Sequence, residues 1–437
     1  MNAHRRRLIA LAHPVYLSLL ASVAAGIINT VWVSRLGGPA VAAVAVATNT
    51  ENVLLGIALV FASGTTVLVA HARGAEDPGD VRAAVRGGWA LCAVTTPAVV
   101  AVGLLLREPL ARLVLGGGGP ALPLATAYFA ISLPGIAVFF VQQLVDGILK
   151  GAGDTRTPMR LALLANGLIL VCDPLLIHVY GVRGAAASTV LCRCAALAVG
   201  LRVLRRIPLP GAAEDPGPVR PVGTALRRTF TTGLPMSADF TVRQTGALVL
   251  VALVARLGVT AVAAYAIAYK VMYLATMAFY AVRQAASIHT AQTRGAGREQ
   301  GREIGRQAVL VSGTVGLAAA VLLGTLAPWI MRAFGAGPAV AHDGVVFLRC
   351  IGPYLLLMAC CIALGGVFEG GGGAPRLLRV TVLGTAVQLP LSYALSERAG
   401  LPGIAMAFAL SMALQYGALA LLVPRQEGAR VSWVRGV

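Results

Sequence analysis

The chain spells one unit twice. Pro14 opens an apolar run that closes on Arg35-Leu36-Gly37 and restarts at Ala40-Val41-Ala42-Ala43. Pro235 opens a second run, closing on Arg256-Leu257-Gly258 and restarting at Ala261-Val262-Ala263-Ala264. Each matched pair lies 221 residues apart, and Arg73-Gly74-Ala75 and Arg294-Gly295-Ala296 keep that offset. Farther along the offset is 219, pairing Pro109 with Pro328, Pro134 with Pro353, Gly151 with Gly370, and Gly181 and Gly184 with Gly400 and Gly403. A duplication of this length constrains the architecture before any motif does, because both halves must fold alike.

The solvent for that fold follows from charge. Only 12% of the 437 residues are charged and 57% are hydrophobic, with mean hydropathy +0.79. A soluble domain of this size carries about 25% charged residues. The chain therefore cannot coat a water-facing surface and is expected to cross a membrane many times. Long apolar segments satisfy their own backbone groups in lipid as helices, and the short alternating segments of a strand barrel are missing from the sequence.

The expected fold is all-α, with twelve transmembrane helices in two six-helix lobes related by a parallel internal repeat. Segments of about 20 residues cross the hydrocarbon. They fall at 13–34, 41–70, 84–106, 121–145, 161–180 and 184–204, then at 232–255, 261–288, 306–330, 345–368, 377–395 and 402–423. This sets an N-terminal lobe at 1–204, a cytoplasmic linker at 205–228 with five prolines, and a C-terminal lobe at 229–437. Six spans per copy is an even number, so both copies enter the membrane facing the same way. One set of loops carries Arg5, Arg6, Arg7, Arg73, Arg82, Arg86, Lys150, Arg156 and Arg160, then Arg294, Arg298, Arg302, Arg376 and Arg379. By the positive-inside rule both termini are cytoplasmic, in a bacterial-type inner membrane. The net charge of +19 is thus a matter of topology, and no nucleic-acid partner is expected. Arg5-Arg6-Arg7 before an apolar run has the look of a leader, but its counterpart at Pro235 is internal, so the first helix is expected to be retained.

The seven cysteines fall inside the spans without metal-type spacing, and the six histidines are scattered. No metal, no organic cofactor and no nucleophile–base constellation is expected, and the chain is not read as an enzyme. Chemistry then rests on ionisable groups in the spans, each costing about 2.5–3.5 kcal/mol to insert. Asp173 lies in the fifth span, with Asn166 two turns away on the same face. A carboxylate with amide neighbours in an apolar pocket can exchange a proton within a physiological range. Asn29 lies near the outer end of the first helix and can only hydrogen-bond. Asp239 and Arg243, four apart, can pair on one helical face. Glu51, Asn52, Asp239, Arg243, Lys270 and Tyr273 are expected to line a substrate cavity. Arg193 and Arg283 are placed nearer helix ends, where they can snorkel.

Four stretches resemble the multidrug and toxic compound extrusion family: Asn29-Thr30 with Val33-Ser34-Arg35-Leu36-Gly37; Gly147 to Pro158; Asn166 through Asp173-Pro174 to Gly184; and the second-half copy. The resemblance covers essentially the whole chain. It implies a secondary antiporter, acting as a monomer in the bilayer, that exports small organic compounds by alternating access against inward proton or sodium flow. It implies a coupling role for Asp173, with Asn166 as its polar neighbour. The family usually carries Asp where this chain has Asn29, and Asn where it has Ile169. The family's second-half acid is not evident, and Arg243 and Lys270 point instead to a substrate with anionic character. Two alternatives stay open: a flippase for a lipid-linked saccharide, its phosphate held by the basic second lobe, and a non-transporting membrane scaffold or sensor.

Overall fold

The computed structural model describes residues 3–115, 117, 119–206 and 221–423. These form thirteen helices and, among the described residues, no strand. In order they are α1 (Ala3–Ser34), α2 (Gly38–Gly74), α3 (Pro78–Leu105), α4 (Arg107–Leu115), α5 (Ala121–Gly151), α6 (Arg156–Tyr180) and α7 (Val182–Arg206). There follow α8 (Val222–Ala255), α9 (Val259–Gly295), α10 (Gly301–Ala333), α11 (Pro338–Cys350), α12 (Gly352–Gly370) and α13 (Ala374–Leu422). Eleven are long and apolar enough to cross a membrane; α4 and α11 are not. One of the eleven, α13, has 49 residues and is broken at Gly400, whose φ of 60° is left-handed. Gly400 is the counterpart of Gly181, φ 58°, which separates α6 from α7. The two parts of α13 bring the count to twelve spans in two sets of six.

The expected span over 345–368 is divided. α11 ends at Cys350, and α12 begins afresh at Gly352 with Pro353 in its first turn. A proline there gives up an N–H that has no helical partner anyway. Its counterpart Pro134 sits inside an unbroken α5. Other helices run beyond their apolar stretch, α8 starting at Val222 and α3 at Pro78. Entry of arginine ends an apolar run without ending a helix. Of the linker expected at 205–228, residues 207–220 lie outside the described residues, while Arg205 and Arg206 close α7 and 222–228 already belong to α8.

Repeated glycines explain much of the local geometry. Gly37 and Gly258 precede α2 and α9 with φ of 96° and 104°, a conformation that side chains resist. Gly147 and Gly151 bring α5 onto α2, where an added Cβ would lie 2.7 Å from the carbonyls of Ala62 and Thr66. Gly366 and Gly370 do the same for α12 on α9, with the carbonyls of Arg283 and Ser287 at 2.1 Å from such a Cβ. Small residues let backbones meet where lipid provides no hydrophobic drive between helices. After Gly151 the chain turns through Gly153, φ 87°. Asp154 then caps α6, accepting from the backbone N–H of Arg156 and Thr157 at 3.0 Å each. The stretch from Gly147 to Pro158 is therefore a packing and capping device.

The described helices fall into two compact units, Leu17–Ser237 and Met1–Tyr16 together with Ala238 onward. The unit boundaries thus differ from the expected lobes at 204 and 229. Residues 222–237 of α8 pack in the first unit, where Ser237 donates to the Gly56 carbonyl at 2.6 Å and Arg228 pairs with Asp80 at 3.2 Å. The start of α1 packs in the second, with His4 Nδ1 at 2.9 Å from His289 Nε2. Tyr16 and Ser237, where the units part, are themselves 221 residues apart. The first core centres on Phe61, Phe129 and Phe140, the second on Phe279, Phe347 and Phe368, all fully buried.

Candidate functional site

In the first unit α1 and α6 are joined by two polar rungs. Asn29 Nδ2 donates to Asp173 Oδ2 at 2.7 Å. Asn166 Nδ2 donates to Ser22 Oγ at 3.3 Å. Both rungs span 144 residues of sequence, as two parallel helices in register require. They lie seven residues apart, or about two turns and 10 Å. Asn166 therefore shares a helix face with Asp173 but bonds to Ser22, not to the carboxylate.

Asp173 is 1% exposed. One of its oxygens has Asn29; the other, Oδ1, is buried without a hydrogen-bond partner. Ser188 of α7 lies beside the carboxyl, and its hydroxyl is likewise buried and unpartnered. Buried acceptors are nearly always satisfied, and the nearest donor for this oxygen is the Ser188 hydroxyl, which lies close without meeting hydrogen-bond geometry.

Glu51 on α2 meets Arg193 of α7 at 3.4 Å, and the guanidinium stacks 5.0 Å above the Phe139 ring. Arg193 is near the middle of α7, so the expectation that it snorkels from a helix end is corrected. Asn52, one residue on, is exposed. Sequence reasoning also passed over Gln142 and Asp146 of α5, which carry buried, unpartnered oxygens four residues apart.

The second unit holds a closed ion network. Asp239 accepts from Arg243 at 3.1 and 3.2 Å, from Arg283 at 2.7 Å and from Thr381 at 2.6 Å. Arg283 also donates to Glu369 at 2.6 Å. Two acids and two arginines cancel. Arg283 is buried, so its expected snorkelling is corrected as well. Asp239 and Arg243, proposed for a substrate cavity, are committed to each other and to Arg283. This also removes Arg243 from the basic patch on which a phosphate-holding flippase depended. Lys270 and Tyr273, by contrast, are both exposed on α9.

Arg283, Glu369, Thr381, Arg193 and Ser188 were not singled out as site residues from sequence. A signal for the charged ones was present in the repeat. Asp239, Arg243, Arg283 and Glu369 stand where the first copy has Ser18, Ser22, Ala62 and Lys150. Asn29 and Asp173 stand where the second has Leu250 and Ser392. The two copies have departed from each other at the positions that carry polar chemistry.

A duplicated twelve-span helical bundle with buried ionisable groups in both units has the architecture of a membrane transporter. The MatE family model matches residues 14–175 and 235–394. The chain belongs to the MatE family, one family segment falling in each copy of the repeat. It is 24% identical over 403 residues to the probable multidrug resistance protein NorM of Thermotoga maritima, covering 89% of this chain and 85% of that protein. It is 25% identical over 441 residues to the probable multidrug resistance protein NorM of Deinococcus radiodurans, covering 96% and 95%. A crystal structure of MATE in complex with MaL6 superposes with a TM-score of 0.89 at 21% identity, over 98% of both chains.

Proposed function

We propose that the chain is a proton-driven exporter of small organic compounds, with Asp173 as the coupling group. Membership of the MatE family and the multidrug-resistance names of the two NorM relatives support export of drug-like molecules. The observation that carries the coupling role is the half-satisfied carboxyl of Asp173, with Oδ2 on Asn29 and Oδ1 unpartnered beside Ser188. A proton arriving at Oδ1 turns that oxygen into a donor, which Ser188 Oγ can accept. It also neutralises the carboxylate and weakens the charge-assisted bond to Asn29, loosening the rung between α1 and α6. Protonation thereby acts on the helix that runs on into the second unit's packing. One carboxylate and one hydroxyl offer few oxygens for a metal cation, which favours a proton over sodium. Asn29 in place of an acid does not void the site, since an amide supplies the donor that a carboxylate could not.

The exporter works by alternating access, as a monomer in the inner membrane with both termini cytoplasmic. It needs no cofactor beyond the coupling ion and has no nucleic-acid partner. The test is flux in proteoliposomes under an imposed pH or sodium gradient, run against a substrate panel. The pH gradient is expected to drive wild-type export, and Asp173→Asn to lose it at least tenfold while still binding substrate. Undiminished proton-driven flux in Asp173→Asn would remove the coupling role.

A further inference from the structure

We infer that the exposed face of α9 recognises a flat aromatic anion, a substrate class for the exporter proposed above. Tyr265, Tyr269 and Tyr273 follow one another at four-residue spacing. Their rings lie 5.9 and 6.5 Å apart between centroids, with interplanar angles of 28° and 31°. They follow one another along one side of the helix. Tyr265 is buried and set edge-on against Phe347 at 5.7 Å, which fixes one end of the row. Tyr269 and Tyr273 are 42% and 43% exposed. Lys270 is exposed too and lies three residues before Tyr273, so the two are neighbours on adjacent turns of the helix.

Depth gives this face its meaning. Lys270 lies eleven residues into α9, about 16 Å from the helix start. That is too deep for a lysine stem to carry its ammonium back to the membrane surface, and an ammonium in hydrocarbon is costly. The face therefore meets water or a polar ligand. Among the described residues no hydrogen bond or ion pair engages Lys270. Arg243 and Arg283 of the same unit are cancelled by Asp239 and Glu369. An uncompensated positive charge is thus set beside the open Tyr273 ring.

The row is not a packing requirement of the repeat. In the first copy the corresponding residues are Val44, Thr48, Asn49 and Asn52, with neither ring nor charge. Its chemistry fits a planar ring stacked on Tyr269 or Tyr273 with a carboxylate, sulfonate or phosphate on Lys270. A flat organic cation would share the rings but face the ammonium unfavourably.

Three probes of matched size test this by equilibrium binding to the purified full chain in lipid nanodiscs: naphthalene-2-sulfonate, a naphthyl trimethylammonium, and cyclohexanesulfonate. The sulfonated naphthalene is expected to bind at least tenfold more tightly than either other probe. Lys270→Gln should weaken it at least tenfold and Lys270→Arg should restore it, while Tyr273→Leu should erase most of the preference over cyclohexanesulfonate. Equal or tighter binding of the cation, an unchanged affinity in Lys270→Gln, or no binding of any probe would overturn the inference. The readout is binding and not flux, so it can fail while proton-driven export stands, or stand where export fails.

Discussion

The proposed coupling site rests on a single bond between Asp173 and Asn29. The bond between them is charge-assisted, and such bonds are worth about 1.5–3 kcal/mol. Asn29→Ala removes the amide donor from a buried carboxylate, so it should slow proton-driven flux by roughly tenfold or more. Ser22→Ala, on the neighbouring rung, breaks only a long, exposed bond to Asn166 and should stay within about twofold of wild type. Flux assays on the two variants side by side check both. Asp173 was legible in the sequence as an acid inside an apolar run. Its partners were less so. Ser188 is one of many small hydroxyls in the spans, and nothing in its spacing sets it apart. Arg283 was misplaced in depth because its apolar run ends at 288 whereas α9 continues to Gly295, while Arg193 sits near the middle of both the expected span and α7.

Among the helices, the buried network and the glycine contacts make separable predictions. Asp239 holds two arginines and a threonine. Removing it strands buried positive charge, at a cost of about 3–5 kcal/mol. Asp239→Ala should therefore lower the melting temperature of the purified protein markedly. The double variant Asp239→Leu with Arg243→Leu keeps the Arg283–Glu369 pair and should melt higher than the single one. The packing of α12 on α9 predicts a different pattern. Gly370→Leu must force backbones apart and should cost about 1–3 kcal/mol or prevent folding. Gly324→Ala in α10 meets nothing within 4 Å and should be neutral or stabilising by about 0.5–1 kcal/mol. Thermal unfolding in detergent separates these outcomes. The repeat made these contacts findable in principle, since Gly147/Gly366 and Gly151/Gly370 are matched glycines. What the sequence withheld was their partners, because a glycine close to a carbonyl leaves no trace at the carbonyl's own position.

For the whole molecule, duplication accounts for nearly all of the legible fold and divergence for the function. Twelve spans, their order and the matched turns at Gly37/Gly258 and Gly181/Gly400 follow from the doubled sequence and its apolar runs. The unit boundaries did not, because α1 and α8 are continuous helices whose two ends belong to different units, and a hydropathy profile has no feature at Tyr16 or Ser237. The copies then specialised. The first keeps Asn29 and Asp173, which the second has replaced by Leu250 and Ser392. The second acquired Asp239, Arg243, Arg283 and Glu369, which balance one another. On this reading the ion-coupling chemistry belongs to one copy alone. The direct measurement is of proton movement itself: a pH-sensitive dye in the lumen of proteoliposomes, read when a transported substrate is added on one side. The account predicts counter-movement of protons in the wild-type protein and in Glu369→Gln variants that remain folded, and none in Asp173→Asn. Proton counter-movement that survives Asp173→Asn and vanishes only when the second-copy network is altered would contradict it.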